Sequence, residues 1–166
     1  SSDTVYQWRQ IQGVMPYTDW HPALHTLMMA ALLKLVNHPA FVLAVQGLCY
    51  ALAVGYTADV LARWRIPKWV ILAITAYLSL NPSISNIMLF PWKDCAFAIA
   101  ALFLGAQLLD VHFSQGESLS PARCLALGAT LSLCAILRHN GMAMALAAGA
   151  WLLIALPQRW KRILPA

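Results

Sequence analysis

The chain has 166 residues and a mass of 18.3 kDa; 61% of its residues are hydrophobic and only 10% are charged. Soluble domains contain roughly 45–50% apolar and 25% charged residues, so this composition excludes a water-soluble globule. The net charge of +5 does not indicate a nucleic-acid partner, because the basic residues flank apolar segments and form no stripe with interleaved aromatic residues. The composition therefore predicts an all-α, polytopic transmembrane helix bundle.

The whole chain, residues 1–166, is expected to form a single transmembrane domain. It begins in a polar region at Ser1, so we expect a piece of a longer protein whose remaining chain is a partner of this one. Residues 1–38 are predicted to form an external loop with a juxtamembrane helix, and residues 39–162 the transmembrane helices. The helix predicted near residues 22–36 is apolar but short and carries His25 and Lys34, which favours a position on the membrane surface.

Five spans are predicted after residue 38, because charged residues or turns separate the apolar runs. Residues 81–86 carry a turn signal that breaks the second span, and broken apolar segments often line a site. Ser120 as N-cap and Pro121 at the first helical position extend the fourth span. The predicted spans cover residues 39–58, 69–80 with a short return over 87–92, 95–109, 121–137 and 142–156.

Basic residues orient these spans, because cytoplasmic loops carry an excess of Lys and Arg. The external face then collects residues 1–38, 81–94 and 138–141, which contain most of the unusual polar side chains. The two basic loops that define the cytoplasmic side contain Arg63, Arg65 and Lys68 in one case and Arg159, Lys161 and Arg162 in the other.

Small residues inside the spans are predicted to serve packing. The four cysteines stand singly, with no metal-binding or disulfide-type spacing, so they indicate buried packing positions. Glycine permits close helix contact in membranes. Five glycines are predicted to do so: Gly47, Gly55, Gly105, Gly128 and Gly149.

The first candidate site residues lie in the external segment before residue 38. Asp3 belongs either to a solvated juxtamembrane loop or to a site, as general base or metal ligand for a hydroxyl-bearing acceptor. His21 and His25 are four residues apart and share one helix face. That spacing suits helix capping by Asp19 or His21 with interfacial anchoring, contact with a phosphate or other substrate group, or metal ligation.

Two further groups of polar residues lie where spans begin or end on the external face. Lys93 and Asp94 form either a local ion pair that helps the chain cross, or a site in which Lys93 binds a lipid phosphate or sugar oxygen and Asp94 orients it. A helical hairpin needs only Asn-Gly, whereas the turn at 138–141 is richer in polar residues. We favour a functional interpretation, in which Arg138 grips a phosphate while His139 and Asn140 donate hydrogen bonds to a headgroup.

The order of these motifs resembles the N-terminal transmembrane module of the GT-C superfamily of glycosyltransferases, which includes protein O-mannosyltransferases and aminoarabinose transferases. Asp3 matches the acid of the family's first external loop, and His21-Pro22 matches the His-Pro element that opens its juxtamembrane helix. The resemblance covers roughly residues 1–110. Three more elements complete it: the basic turn at 62–65, the external Asn-Pro turn at 81–82 and the later acid Asp94.

The chain also departs from the family pattern at two positions. Thr4 follows Asp3 where the family often has a second acid, and Ala23 stands where it has a second proline. The order of Asp, His-Pro, Lys-Asp and Arg-His-Asn-Gly is similar to that of a bacterial branch of these enzymes.

The resemblance implies transfer of a sugar from a polyprenyl-phosphate carrier to an acceptor on the external face of a bacterial inner membrane. Asp3 would be the general base or acceptor-orienting carboxylate, with Asp94 as a second catalytic residue. Fixed cations and donors would stabilise the phosphate leaving group. The expected donor is a lipid-linked sugar, and a requirement for a divalent metal is left open. The implied substrate-binding residues are His21, His25, Lys93, Arg138, His139 and Asn140.

A membrane transporter or lipid-flippase-like module is the alternative function, in which Lys93, Asp94 and Arg138 line an ion or lipid path. A carrier usually needs polar residues near the bilayer midplane. The polar residues inside the predicted spans are uncharged, which favours chemistry at one face, and a purely structural subunit would leave the external cluster unexplained. These uncharged residues are Gln46, Thr75, Gln107, Thr130 and Ser132.

Overall fold

The computed structural model describes residues 2–18 and 23–156, with the side chains of Ser2 and Asp3 excepted. Within these ranges the chain forms α-helices and no β-strand, which confirms the predicted all-α class. The helices are α1 (Ser2–Ile11), α2 (Ala23–Leu35), α3 (Pro39–Arg63), α4 (Lys68–Leu80), α5 (Pro82–Met88), α6 (Lys93–Phe113), α7 (Pro121–Leu137) and α8 (Gly141–Ala155).

Two helices, α3 and α6, are long and apolar enough to cross a membrane. At 1.5 Å per residue they extend about 38 and 31 Å, against about 30 Å of hydrocarbon. The pair α4 and α5 passes the same test only when joined across a 50° bend, so the described chain has two candidate spans, or three with this pair. The predicted count of five is not confirmed, because α7 and α8 extend only about 26 and 23 Å.

The break between α4 and α5 differs from the prediction of a turn over 81–86 and a return over 87–92. Only Asn81 leaves the helical conformation, because Pro82 lacks an N–H and disfavours helix in the residue before it. The Asn81 side chain accepts hydrogen bonds from the backbone N–H groups of Ser83, at 2.9 Å, and Ile84, at 3.4 Å. These bonds start α5 at once, and residues 89–92 connect it to α6 without helix.

The predicted cap of α7 is confirmed. The Ser120 hydroxyl accepts a hydrogen bond from the N–H of Arg123 at 3.3 Å, and Pro121 occupies the first turn of the helix. This cap fixes where α7 begins, just as the tight turn at residues 138–140 fixes where it ends.

Helices α3 and α6 run parallel and form the largest helix contact in the described chain. The Tyr56 and Phe103 rings lie 4.6 Å apart, and seven residues later on both helices Arg63 meets Asp110. Helix α7 packs antiparallel on α6, and α8 returns beside both. We call the end where α3, α6 and α8 begin the Arg138 end, and the opposite end the Asp110 end.

The five glycines predicted to allow close helix packing do not do so. A Cβ atom built on any of them meets no atom within 4 Å in the described chain. Their helices are therefore not in close contact at these positions, which are Gly47, Gly55, Gly105, Gly128 and Gly149.

Asp110 ties three segments together at the Asp110 end and is only 2% exposed. Its carboxylate accepts hydrogen bonds from Arg63 Nη1 at 3.0 Å, Trp64 Nε1 at 3.0 Å and Arg123 Nη1 at 2.9 Å. These donors come from the end of α3 and the start of α7. The predicted span ends at residue 109, so the sequence marks Asp110 as the residue that follows a span. It does not indicate that Asp110 is buried between two arginines.

Replacing Asp110 with asparagine tests this tie. Asp110→Asn leaves two arginines without their buried counter-charge, and we expect a loss of about 3 kcal/mol in unfolding free energy. In a thermal unfolding experiment in detergent this lowers Tm by about 10 °C. Asp59→Asn is the control, because Asp59 is 62% exposed and its ion pair with Arg63 is a surface pair; its effect is expected to stay below about 1 kcal/mol. Equal losses in the two variants contradict the assignment.

Candidate functional site at the Arg138 end

Four of the predicted site residues come together at the Arg138 end. Arg138 Nη1 lies 3.1 Å from Asp94 Oδ1, and its guanidinium carbon lies 5.8 Å from the centre of the Phe97 ring. Lys93 and Asp94 both lie close enough to His25 to change its pKa. The first turn of α6, the α7–α8 turn and the start of α2 therefore build one cluster from residues far apart in sequence.

The α7–α8 turn holds Arg138 in place through an unusually close approach at Gly141. The Gly141 N–H donates to the Arg138 carbonyl oxygen at 2.8 Å. A Cβ atom on Gly141 would collide with the carbonyl oxygen of Cys134 and would lie 2.9 Å from Phe97 Cε2. A residue without a side chain is therefore required where α8 begins against α7 and α6.

His25 is a buried, neutral member of this cluster and is 4% exposed. Its Nδ1 is 3.1 Å from Gln7 Oε1, which is an acceptor only, so Nδ1 carries the ring proton and Nε2 the lone pair. Burial is the main reason that the pKa of His25 falls from 6.5 to about 4, with a further lowering by Lys93 and an opposing effect of Asp94. At neutral pH His25 offers hydrogen bonding and not a positive charge.

Several buried polar atoms around this cluster have no hydrogen-bond partner within residues 2–18 and 23–156. Asp94 Oδ1 is one of them, because Arg138 reaches it as an ion pair without the alignment of a hydrogen bond. Each such atom costs about 1–3 kcal/mol, so their clustering points to a ligand that completes the bonds. The others near this end are Gln7 Nε2, Thr26 Oγ1 and Trp92 Nε1.

A cavity of about 370 Å³ lies directly beneath the cluster, between α2, α3, α6 and α7. We call it the main cavity because four helices line it; a larger but more polar pocket of about 540 Å³ lies at the Asp110 end, beside Arg63 and Phe113. The volume of the main cavity falls within the range of about 300–1,000 Å³ that is usual for ligand pockets. Its wall includes His25, as well as Leu137, the neighbour of Arg138.

The wall of the main cavity is largely apolar, because its polar side chains bond elsewhere. Gln46 Nε2 donates to the carbonyl oxygens of Met88, at 2.9 Å, and Phe90, at 3.0 Å. Thr130 Oγ1 donates to the carbonyl oxygen of Ala126 at 2.8 Å. The Arg138 end thus combines a cluster of charged side chains with a neighbouring apolar cavity.

Other predicted site residues are not brought into this cluster or lie outside the described residues. His139 and Asn140 are exposed at the tip of the turn, and in the described helix α8 the Asn140 side chain makes no capping bond. The backbone of Asp3 belongs to α1, a helix where a loop was predicted, and its side chain is not described. Asp19 and His21, which were predicted as alternative helix caps, lie outside the described residues, and so does the predicted substrate-binding role of His21.

Gln7, Thr26 and Trp92 also contribute buried polar atoms at this end, although the sequence did not predict them as site residues. Gln7 was hidden because residues 2–11 were not predicted to be a helix. In a helix, Asp3 and Gln7 are four residues apart and share one face. Recognising α1 would therefore have grouped Gln7 with the candidate Asp3.

A metal site is not formed by the side chains that the structure describes. No three His, Cys, Asp or Glu side chains among them come together with the geometry needed to hold an ion. The four cysteines all lie within the described ranges, and none of them forms a disulfide bond.

Comparison with known proteins places the chain in one family. A family model matches residues 11–166. The chain belongs to DUF6020, a family of unknown function. No curated protein and no solved structure gives a significant match. Membership of DUF6020 assigns no activity, so the function has to be argued from the site.

The lowered pKa of His25 predicts a stability that depends on pH. Between pH 6.5 and about 4 the unfolded chain binds a proton that the folded chain does not, so stability is full above pH 6.5 and falls as the pH drops through this window. The free energy of unfolding is expected to fall by about 3 kcal/mol. Thermal unfolding in detergent at pH 7.5, 6.5, 5.5 and 4.5 measures this as a fall in Tm of about 10 °C in total.

The control variants separate His25 from other titrating groups. His25→Gln removes the buried imidazole, so its Tm is expected to fall less over the same pH range. His112→Gln changes an exposed histidine at the Asp110 end and is expected to keep the wild-type slope. An unchanged slope in His25→Gln contradicts the assignment.

Proposed function

We propose that this protein is a membrane glycosyltransferase that moves a sugar from a polyprenyl-phosphate carrier to an acceptor on the external face. One observation supports this above the others: the Arg138 end places cations, a carboxylate and unpaired hydrogen-bonding atoms directly above an apolar cavity. A lipid-linked sugar has three matching parts, namely an anionic phosphate, a hydroxyl-rich sugar and an apolar tail.

The phosphate is assigned to Lys93 and Arg138. Lys93 and Arg138 bring two positive charges close to the main cavity, against the carboxylate of Asp94, while His25 is neutral. Arg138 uses Nη1 toward Asp94, and its remaining N–H groups are suited to paired hydrogen bonds with phosphate oxygens. These charges would stabilise the phosphate as it leaves.

The sugar and the acceptor are assigned to the buried polar atoms that make no hydrogen bond within the described residues. Gln7 Nε2 and Trp92 Nε1 are donors, whereas Asp94 Oδ1 is an acceptor, and sugar hydroxyls satisfy both kinds. In a single displacement the acceptor oxygen bonds to the anomeric carbon, and the carbon–oxygen bond to phosphate breaks with its electron pair on phosphate. The acceptor's proton passes to Asp94 or Asp3, and the anomeric configuration inverts.

The proposed topology places the Arg138 end outside a bacterial inner membrane. The loop between α3 and α4 carries Arg65 and Lys68 at the opposite end, and the positive-inside rule assigns such a loop to the cytoplasm. In this proposal α7 and α8 cross the membrane packed against α6, as the fourth and fifth spans.

A transporter or lipid flippase remains the second candidate, favoured by features at the Asp110 end. A second cavity of about 210 Å³ lies there, and the buried Gln107 Oε1 has no partner within the described ranges. A lipid path requires this cavity to connect with the main cavity, whereas the Tyr56–Phe103 ring pair lies between them.

Native mass spectrometry of the detergent-purified protein with a polyprenyl-phosphate sugar tests the proposal. We expect one bound lipid in the wild type and at least about tenfold weaker binding in Arg138→Ala, because charge-assisted hydrogen bonds contribute about 1.5–3 kcal/mol. Arg123→Ala is the matched control, since Arg123 is also a half-exposed arginine paired with an aspartate, at the other end.

The outcomes separate the two functions. Conversion of the bound donor to sugar-free polyprenyl phosphate, in the presence of an acceptor, supports transfer. Movement of intact donor across vesicles without such conversion supports the flippase. Equal binding by wild type and Arg138→Ala removes Arg138 from the site and contradicts the proposal.

A further inference from the structure

Phe103 forms part of the walls of both cavities. The main cavity reaches it from the Arg138 end, and the second cavity reaches it from the Asp110 end. Both cavities lie between α3, α6 and α7. The two cavities therefore adjoin at Phe103, one on each side of its ring along the bundle.

The spacing along α6 shows where the two cavities meet. The main cavity follows α6 from Ala96 to Phe103, and the second continues from Phe103 to Val111. The two stretches advance seven and eight residues, or about 10 and 12 Å of helix. On α3 the change occurs between Ala53, in the main cavity, and Tyr56, in the second.

Two aromatic rings lie where the cavities adjoin. The Tyr56 and Phe103 rings lie 4.6 Å apart, inclined by 35°, which is within the range of favourable aromatic contacts. Each ring is held by a different helix, and the two helices are also joined by Arg63 and Asp110 at the next contact toward the Asp110 end. The two rings thus lie within the most extensive interhelix contact of the described chain.

We propose that Phe103 is the floor of the main cavity and limits how long a lipid tail segment can insert beneath the bound phosphate. The inference rests on the proposed function, because the occupant is the tail of a lipid phosphate. Charge complementarity identifies this occupant, since the cations Lys93 and Arg138 cluster around His25, which lines the main cavity at the Arg138 end. A longer tail leaves sideways, where Cys49 and Leu52 on the rim are exposed.

Truncating the Phe103 side chain is expected to change the length of lipid tail that fits into the main cavity. Phe103→Ala joins the main cavity to the upper part of the second, which is lined by the apolar side chains of Ala126 and Leu127. Further insertion meets Gln107, Asp110 and Arg123, where burying methylene groups gains nothing. Each additional methylene buried before that point strengthens binding about fourfold.

Binding of octyl, dodecyl and hexadecyl phosphate to the detergent-purified protein tests the inference. The measured quantity is the ratio of hexadecyl to dodecyl phosphate affinity, in one detergent. In the wild type we expect this ratio to be near one. In Phe103→Ala it is expected to rise at least about tenfold, which corresponds to two or three additional buried methylenes.

Two further variants keep the result interpretable. Phe103→Leu preserves an apolar side chain and is expected to fold even where the alanine variant does not, with a smaller rise in the same ratio. Leu52→Ala alters the exposed rim of the same cavity and is expected to leave the ratio of hexadecyl to dodecyl phosphate affinity near one, because both tails pass this rim.

The failures of the two proposals are distinguishable. Unchanged chain-length ratios in both Phe103 variants, with lipid phosphates still bound through Arg138, overturn the inference and leave the proposed function standing. A length shift in Leu52→Ala as large as in Phe103→Ala places the tail at the rim and also overturns the inference. Absence of alkyl phosphate binding by the folded wild type overturns the proposed function and the inference with it.

Discussion

The ion pair between Asp94 and Arg138 is the interaction on which the candidate site depends. It joins the first turn of α6 to the α7–α8 turn, and the absence of a side chain at Gly141 lets those segments approach. Water is scarce at the edge of hydrocarbon, so a charged pair there is retained only where it is matched and useful. Within the described residues, Asp94 Oδ1 has Arg138 as its ion-pair partner but makes no hydrogen bond, so a ligand hydroxyl could still donate one to it.

Burial has opposite consequences for the two ends of the bundle. Asp110 is fully satisfied by three donors, so the Asp110 end behaves as a rigid tie between α3, α6 and α7. At the Arg138 end burial makes His25 neutral and leaves donors of Gln7 and Trp92 unpaired in the described chain. Natural proteins tolerate such deficits mainly at functional sites, and this asymmetry is why we place the chemistry at the Arg138 end.

The parts of the fold that sequence predicts well are those set by local properties. Long apolar runs without charged residues predicted α3 and α6, and the Ser120-Pro121 pair predicted the start of α7. The cost of placing charges near hydrocarbon also made Lys93, Asp94, Arg138 and His25 visible as candidates before their proximity was known.

The remaining features depend on contacts between distant residues. Gln7 meets His25 across 18 positions, and Arg63 meets Asp110 across 47, which no local pattern encodes. The pKa of His25 follows from its burial, so a charged histidine and a neutral one look alike in sequence. Helix α1 was missed because a short polar helix is stabilised mainly by the surface it packs against. The five glycines failed as packing signals because composition does not say which helix faces meet.

Photo-crosslinking with an alkyl phosphate that carries a diazirine at the end of its tail tests the central claim most directly. The account predicts crosslinks concentrated on the inner faces of α3, α6 and α7 around Ala53, Phe103 and Thr130, abolished by excess unlabelled lipid phosphate. Labelling spread over the exposed face of α4, at Trp69, Leu72 and Tyr77, and insensitive to competitor would contradict it.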